Sequence, residues 1–139
     1  KLYNEGVNKM PMIIQHIDAI ARKKGSDVLF VSFSEMTIEN HNYKELTERN
    51  ELIQWLNYNN ISFEFCYGMA SDNVIQQPYL GNLFLDVSFD KNDPLYIKLE
   101  KHLENRDGSP KIPGVQFFYC PLDVAMQNSH YDSPDFFHE

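Results

Sequence analysis

The sequence predicts a single-domain α+β fold, on the evidence of its length, its aromatic content and the spacing of its apolar residues. The chain has 139 residues, enough to bury a core without cross-links. Its 10 phenylalanines and 8 tyrosines favour β-structure, because rings fit the pleated, half-buried surface of a sheet. Two stretches alternate apolar and polar residues, whereas three others repeat apolar residues at helical spacing.

The first helix is predicted over residues 11–25, after an N-terminal extension of residues 1–10. Its apolar positions follow helical spacing and are Ile13, Ile14, Ile17, Ile20 and Ala21. Pro11 suits the first turn, basic residues 22–24 complement the C-terminal dipole, and Gly25 ends the helix.

Two more helices are predicted further along the chain. Asn42 and Glu45 have the spacing of a capping arrangement, and the helix that they open continues to residues 59–60. Asp93 and Pro94 open the third helix as its cap and first residue, and the apolar stripe consists of Leu95, Leu99 and Leu103. The composition of residues 105–114 is that of a loop.

Four strands are predicted, over residues 28–33, 61–67, 83–89 and 115–120. With the second and third helices they give the order βαββαβ over residues 28–120. That order predicts a ferredoxin-like α+β sandwich, in which four antiparallel strands carry both crossover helices on one face. The first helix is additional, and residues 121–139 form a C-terminal turn and an acidic tail.

The face of the sheet away from the two crossover helices is predicted to be open. Strand alternation assigns to it Ser62, Glu64, Cys66, Phe84, Asp86 and Ser88, together with Phe30, Ser32, Gln116 and Phe118 or their neighbours. A symmetric hairpin would pair Glu64 with Asp86, which is destabilising. Water and salt, a shared proton, or a bound cation or basic partner would relieve the repulsion.

Residues 68–82 connect the two middle strands and are too many for a simple hairpin. Connections of this length in compact domains are usually functional or disordered. The segment contains apolar residues that can pack and adaptable polar ones that can bind. It is therefore either a recognition loop or a structural loop beside the sheet.

Charge is unevenly distributed along an acidic chain. The net charge is −8, which excludes a direct nucleic-acid binder, because such a protein needs a basic surface. Residues 50–90 and 112–139 contain acids but no lysine or arginine. Uncompensated acid steers a basic partner toward the surface; the alternative is an acidic surface that serves solubility.

No motif for catalysis or for a cofactor is present. The sequence has no GxSxG elbow, Walker loop, GxGxxG or HExxH. Cys66 and Cys120 lack CxxC spacing and are expected to be reduced, half-buried thiols of a cytoplasmic protein. No stretch approaches the length of a membrane span.

The acidic tail contains nitrogen and oxygen ligands for a metal, in His130, Asp132, Asp135 and His138. The same residues suit a docked structural tail or a partner-contacting tail. Phe136 and Phe137 would anchor it to the body of the domain. The tail is therefore expected to contact protein rather than metal, and no metal or other cofactor is predicted.

These observations predict a non-enzymatic, acidic protein-interaction module, such as an inhibitor or immunity-type protein that binds a basic toxin or nuclease. The predicted partner-binding residues are Glu64, Asp86, Phe84, Phe118, Asp72, Asn73, Gln76, Gln77, Tyr79, Asp132 and Asp135. One alternative is a small enzyme or ligand-binding module with a pocket between the open face and residues 68–82. Another is a self-associating structural protein, which includes a homodimer.

Overall fold

The computed structural model describes residues 14–70 and 78–132 and confirms the α+β class. This part of the chain contains a five-stranded mixed sheet and four α-helices. In chain order the elements are β1 (Gln15–His16), α1 (Ile17–Lys24), β2 (Val28–Phe33), α2 (Thr47–Tyr58), β3 (Phe63–Tyr67), β4 (Leu83–Leu85), α3 (Pro94–Leu103), β5 (Val115–Cys120) and α4 (Leu122–Met126).

The strands lie in the order β1-β3-β4-β2-β5. The pairs β3–β4, β4–β2 and β2–β5 are antiparallel, whereas β1 is parallel to β3, with Gln15 opposite Cys66. The sheet thus has one strand more than the predicted four. Gln15 and His16 were predicted to be helical, but they extend along the edge of β3, and the helix begins only at Ile17.

Helices cover both faces of the sheet. On one face α2 and α3 pack over the larger core, which includes Leu29, Val31, Leu52, Leu56, Leu83, Leu85, Leu99, Leu103 and Val115. On the other face α1 and α4 pack over a smaller core, formed by Ile17, Ile20, Ala21, Val28, Cys66, Phe84, Cys120 and Ala125. The extra N-terminal helix and the C-terminal turn therefore form a third layer.

The helix ends follow the predicted chemistry at two places and depart from it at one. Asp93 accepts a hydrogen bond from the backbone N–H of Leu95 at 2.8 Å, which confirms the cap of α3. Gly25 ends α1 in the left-handed conformation, with φ 68°. The predicted capping arrangement of Asn42 and Glu45 is wrong, because residues 43–45 form a 3-10 turn and α2 begins at Thr47 without a side-chain cap.

Two strands are shorter than their alternation suggested. The ladder of β4 ends at Leu85, and the backbone then turns, with the N–H of Val87 donating to the carbonyl of Leu85. β3 begins at Phe63 rather than at residue 61. β5 has the predicted bounds. Within the described ranges, no helix combines the length and the apolar character that crossing a bilayer requires.

Candidate functional site

The face predicted to be open is covered across its middle by α1. Cys66 is fully buried, and Phe84 keeps only 2% of its surface exposed. Both contribute to the same core as Ile17 and Ile20 of α1. The expectation that Phe84 is exposed to a partner is therefore wrong. The physical reason is that α1 has an apolar stripe of its own, which must be buried.

The hairpin of β3 and β4 has a different register from the symmetric one. Glu64 lies opposite Phe84 rather than Asp86. Asp86 lies beyond the end of β4, and its backbone N–H donates to the carbonyl of Ser62 at 2.9 Å. The shift of two residues keeps each side chain on its predicted face. The two carboxylates are diagonal neighbours, so the predicted direct opposition is wrong.

A cation from the same chain compensates Asp86. The Nζ atom of Lys24, at the end of α1, lies 2.9 Å from a carboxylate oxygen of Asp86. The same ammonium lies 5.6 Å from the centre of the Phe84 ring. Since both charged side chains are exposed, their pairing adds less than about 1 kcal/mol to stability. It nevertheless removes Asp86 from the uncompensated acid that the sequence suggested.

Two separate strips of the predicted face remain accessible, on either side of α1. Glu64 is exposed on β3. Near the opposite edge of the sheet, the Phe118 side chain is 44% exposed, and its ring centre lies 5.5 Å from that of Phe30. Beside them, the Ser32 hydroxyl donates to the Gln116 side chain at 3.3 Å. The predicted acid and the predicted ring therefore do not share one surface.

The connection between β3 and β4 is described at its two ends only. Four predicted partner-binding residues lie outside the described residues, namely Asp72, Asn73, Gln76 and Gln77. Tyr79 is described and is 8% exposed. Its hydroxyl donates to the carbonyl of Asn82 at 2.5 Å and accepts from Arg49 at 3.1 Å. Burial raises the pKa of this hydroxyl. Tyr79 therefore has a structural role here rather than the predicted exposure to a partner.

Arg49 of α2 is a buried cation, with 3% of its surface exposed. Its Nε donates to the carbonyl of Gly81 at 2.8 Å. The guanidinium carbon lies 4.6 Å from the ring centre of Tyr43 and 5.0 Å from that of Phe65. Within the described ranges Arg49 makes no ion pair with a carboxylate. Ring faces and polar oxygens therefore solvate its charge.

Burial of Arg49 leaves the surrounding segment acidic. We call residues 34–51 the acidic segment; its glutamates are Glu35, Glu39, Glu45, Glu48 and Glu51. Four of them are exposed and Glu48 is half-buried. None makes an ion pair within the part of the chain that the structure describes. The same segment contains one exposed lysine, Lys44. Because five glutamates outnumber this single exposed ammonium, the segment has an excess of negative charge.

The stretches without lysine or arginine identified in the sequence begin only at residue 50, after Lys44 and Arg49, so this segment as a whole was not recognised. A signal was present. Arg49 precedes Leu52 by three residues and Leu56 by seven, which places it on the buried stripe of α2. A cation on such a stripe is directed inward and does not form ion pairs with its exposed neighbours.

A cavity of about 190 Å³ lies where the ends of β1 and β3 meet residues 78–82. His16, Tyr67, Met69, Pro78 and Leu80 are among the residues that line it. Neither Glu64 nor Asp86 belongs to its described lining, which does include the imidazole of His16. The cavity therefore does not place either of these two carboxylates as an acid or base.

The acidic tail is described as far as residue 132. Residues 129–132 form a 3-10 turn that follows α4. Asp135, a predicted partner contact, and His138, a possible metal ligand, lie outside the described residues. The backbone of Asp132 lies in the 3-10 turn. Among the residues that the structure does describe, no group of three acidic, histidine or cysteine side chains could hold a metal ion.

Both cysteines are free thiols and are more deeply buried than expected. Burial raises the pKa of the Cys66 thiol, and the nearby charge of Glu64 raises it further. Burial also raises the pKa of Cys120 to about 11, with smaller contributions from Asp18 and Asp27. Since the thiolate is the reactive form, both residues are held in an inert state.

We expect neither thiol to react with a disulfide reagent near pH 8 while the protein is folded. A pKa of about 11 leaves roughly 200-fold less thiolate than an ordinary cysteine has at that pH. Thiol titration with and without denaturant measures this directly, and both cysteines should react once the chain is unfolded. Immediate reaction of either one in the folded protein would contradict the described burial.

The acidic segment thus contains four exposed glutamates in 18 residues, and further exposed acids are distributed over the rest of the described chain, namely Asp27, Glu64, Asp86, Asp90, Asp107 and Asp123. Comparisons with protein-family models, with curated proteins and with solved structures find no match to this chain. The function is therefore inferred from the charge and geometry of the described surface.

Proposed function

We propose that the protein is a non-enzymatic interaction module that binds a basic protein through the acidic segment. One observation carries the proposal: Arg49 is turned inward, and the exposed glutamates around it make no ion pair within the described residues. Uncompensated charge on one region raises the local potential and accelerates the encounter with a cationic partner.

The acidic segment adjoins the strand that carries Glu64. The ring of Tyr43 lies 6.5 Å from that of Phe65, and the guanidinium of Arg49 lies 5.0 Å from the same phenylalanine. Phe65 directly follows Glu64 in β3. Successive side chains of a strand point to opposite faces, so Phe65 lies with the acidic segment on the face of α2 and α3, whereas Glu64 lies opposite Phe84 on the face of α1. A partner that covers the acidic segment therefore contacts the α2 and α3 side of the sheet.

The class of partner that fits best is a cationic toxin or nuclease, and the corresponding role is that of an inhibitor or immunity-type protein. Masking a basic active surface requires fast association, which charge complementarity provides. A cytoplasmic location belongs to this proposal and agrees with two unpaired, buried thiols.

We further propose that residues 28–120 form a ferredoxin-like unit to which other elements have been added. The antiparallel order β3-β4-β2-β5 and the packing of α2 and α3 on one face support it. β1 would then be an extra edge strand, and α1 and α4 would be a layer on the face that such a unit leaves open.

Charge reversal in the acidic segment should slow the binding of a basic partner. The partner would first be captured from cells of the source organism on the immobilised chain at low salt. We expect Glu39→Lys combined with Glu45→Lys to lower the association rate constant about tenfold, because the attraction becomes repulsion. Surface plasmon resonance at several salt concentrations would measure this rate.

Glu104→Lys is the matched control, because it reverses one charge at the end of α3, where Lys101, Arg106 and Lys111 already lie. It should change the association rate less than about twofold. Equal effects of the control and of the double variant would refute the surface assignment. So would an association rate that does not fall as salt is raised.

A further inference from the structure

β5 is the outermost strand of the sheet, and no described strand pairs with its outer side. Natural proteins usually protect such an edge with charged residues, proline or a bulge. Residues 115–120 contain neither a charged residue nor a proline, and their pairing with β2 is regular. This edge is therefore competent to pair with another strand.

The direction of the backbone groups along β5 follows from its ladder with β2. The N–H of Ser34 donates to the carbonyl of Gly114 at 2.9 Å. Hydrogen-bonded pairs alternate along an antiparallel ladder, so Gln116 and Phe118 direct their N–H and C=O groups toward β2. Phe117 and Tyr119 consequently direct theirs outward.

Aromatic side chains flank the outward backbone groups on both faces of the sheet. Phe118 packs beside Phe30 on the face that α1 partly covers. On the other face Tyr119 is 51% exposed, and its ring centre lies 4.8 Å from that of Phe89. Exposed rings beside open backbone groups are typical of surfaces that bind protein.

We propose that β5 pairs with β5 of a second copy of this chain, antiparallel, about a two-fold axis at Phe118. This inference goes beyond the proposed function, since it uses the opposite edge of the sheet from β3. In this register Phe117 of one copy lies opposite Tyr119 of the other. Both direct their backbone groups outward, and each such pair exchanges two hydrogen bonds. The two sheets become continuous.

The edge is complementary to itself, which is why a second copy is the fitting occupant. The Phe118 rings of the two copies meet in a closely spaced, non-hydrogen-bonded pair on one face, and aromatic pairs form on the other.

Sedimentation velocity of the 139-residue chain over a range of concentrations tests the proposal. We expect a monomer–dimer equilibrium that Phe118→Lys weakens at least about tenfold, because two ammonium groups would meet at the axis. The matched control is Tyr58→Lys, on an 86% exposed residue of α2, which should leave the dimerisation constant unchanged. Thermal unfolding of each variant verifies that the fold is retained.

Cross-linking tests the register independently. Under mild oxidation Phe118→Cys should form a covalent dimer, because residues at the axis face themselves at close range. Tyr119→Cys should cross-link at least about tenfold more slowly, since its opposite residue is Phe117 of the other copy. The two native thiols are buried and do not compete.

A chain that stays monomeric at every concentration would overturn the proposal. So would a dimer that Phe118→Lys leaves intact, or faster cross-linking by Tyr119→Cys. The dependence of association on salt concentration distinguishes this proposal from the proposed function. Dimerisation of two chains of net charge −8 should not weaken as salt rises, whereas binding of a basic partner should.

Discussion

Asp18→Ala is expected to lower the free energy of unfolding by about 3–5 kcal/mol, the usual effect of breaking a buried ion pair. Asp18 lies in the first turn of α1 and is fully buried. One of its carboxylate oxygens lies 3.1 Å from Nη1 of Arg22, one helical turn later. The other accepts a hydrogen bond from the backbone N–H of Ala70 at 2.9 Å.

The large effect follows from what the substitution leaves behind. Arg22 is nearly buried and would lose the carboxylate of Asp18, and the buried N–H of Ala70 would lose its acceptor. Arg22 also donates to the carbonyl of Ala125 at 2.6 Å. The pair thus joins α1, the end of β3 and α4, which together form the layer over the second face. Urea denaturation followed by circular dichroism would measure the loss.

Asp86→Ala is the matched control, since it breaks an ion pair with a residue of the same helix. That pair is exposed, so its removal should cost less than about 1 kcal/mol. Similar losses for the two variants would show that Asp18 is not buried as described. They would also contradict the view that α1 is held to the sheet by Asp18.

The fold was predictable where local chemistry decides it. The cap at Asp93, the glycine stop of α1 and the bounds of β5 all depend on residues close in sequence. Strand alternation also assigned each side chain of β3 and β4 to its correct face. These features need no information about distant parts of the chain.

The location of α1 was not predictable, because an apolar stripe shows that a helix is buried but not against what. Phe84 consequently changed from an expected contact residue to a core residue. The register of the hairpin depends on a connection too long to fix it, so the pairing of Glu64 was also missed. Two of the predicted contact residues stay accessible in the described chain. Glu64 is exposed without a compensating charge, and Phe118 is exposed without a covering helix.

Arg49→Lys is expected to destabilise the protein more than Arg49→Met does, although lysine keeps the charge. A single ammonium cannot reproduce both the bond from Nε to Gly81 and the bond from Nη2 to Tyr79. It is also more strongly hydrated than a guanidinium, so its burial costs more. We expect a loss of about 2–4 kcal/mol for lysine, and about 1–2 kcal/mol for methionine, which leaves the Gly81 carbonyl without its donor.

The methionine variant also tests the observation on which the proposed function depends. A buried charge is screened by salt less than an exposed one, so removing the charge of Arg49 should make the potential of the acidic segment more negative and accelerate association with a basic partner. Arg49→Lys keeps the charge and is the control, so its association rate should stay close to that of the original chain. Equal rates for the two variants would show that the acidic segment does not steer the partner. Denaturation and association kinetics on the same pair of variants therefore measure the structural and the electrostatic role of Arg49 separately.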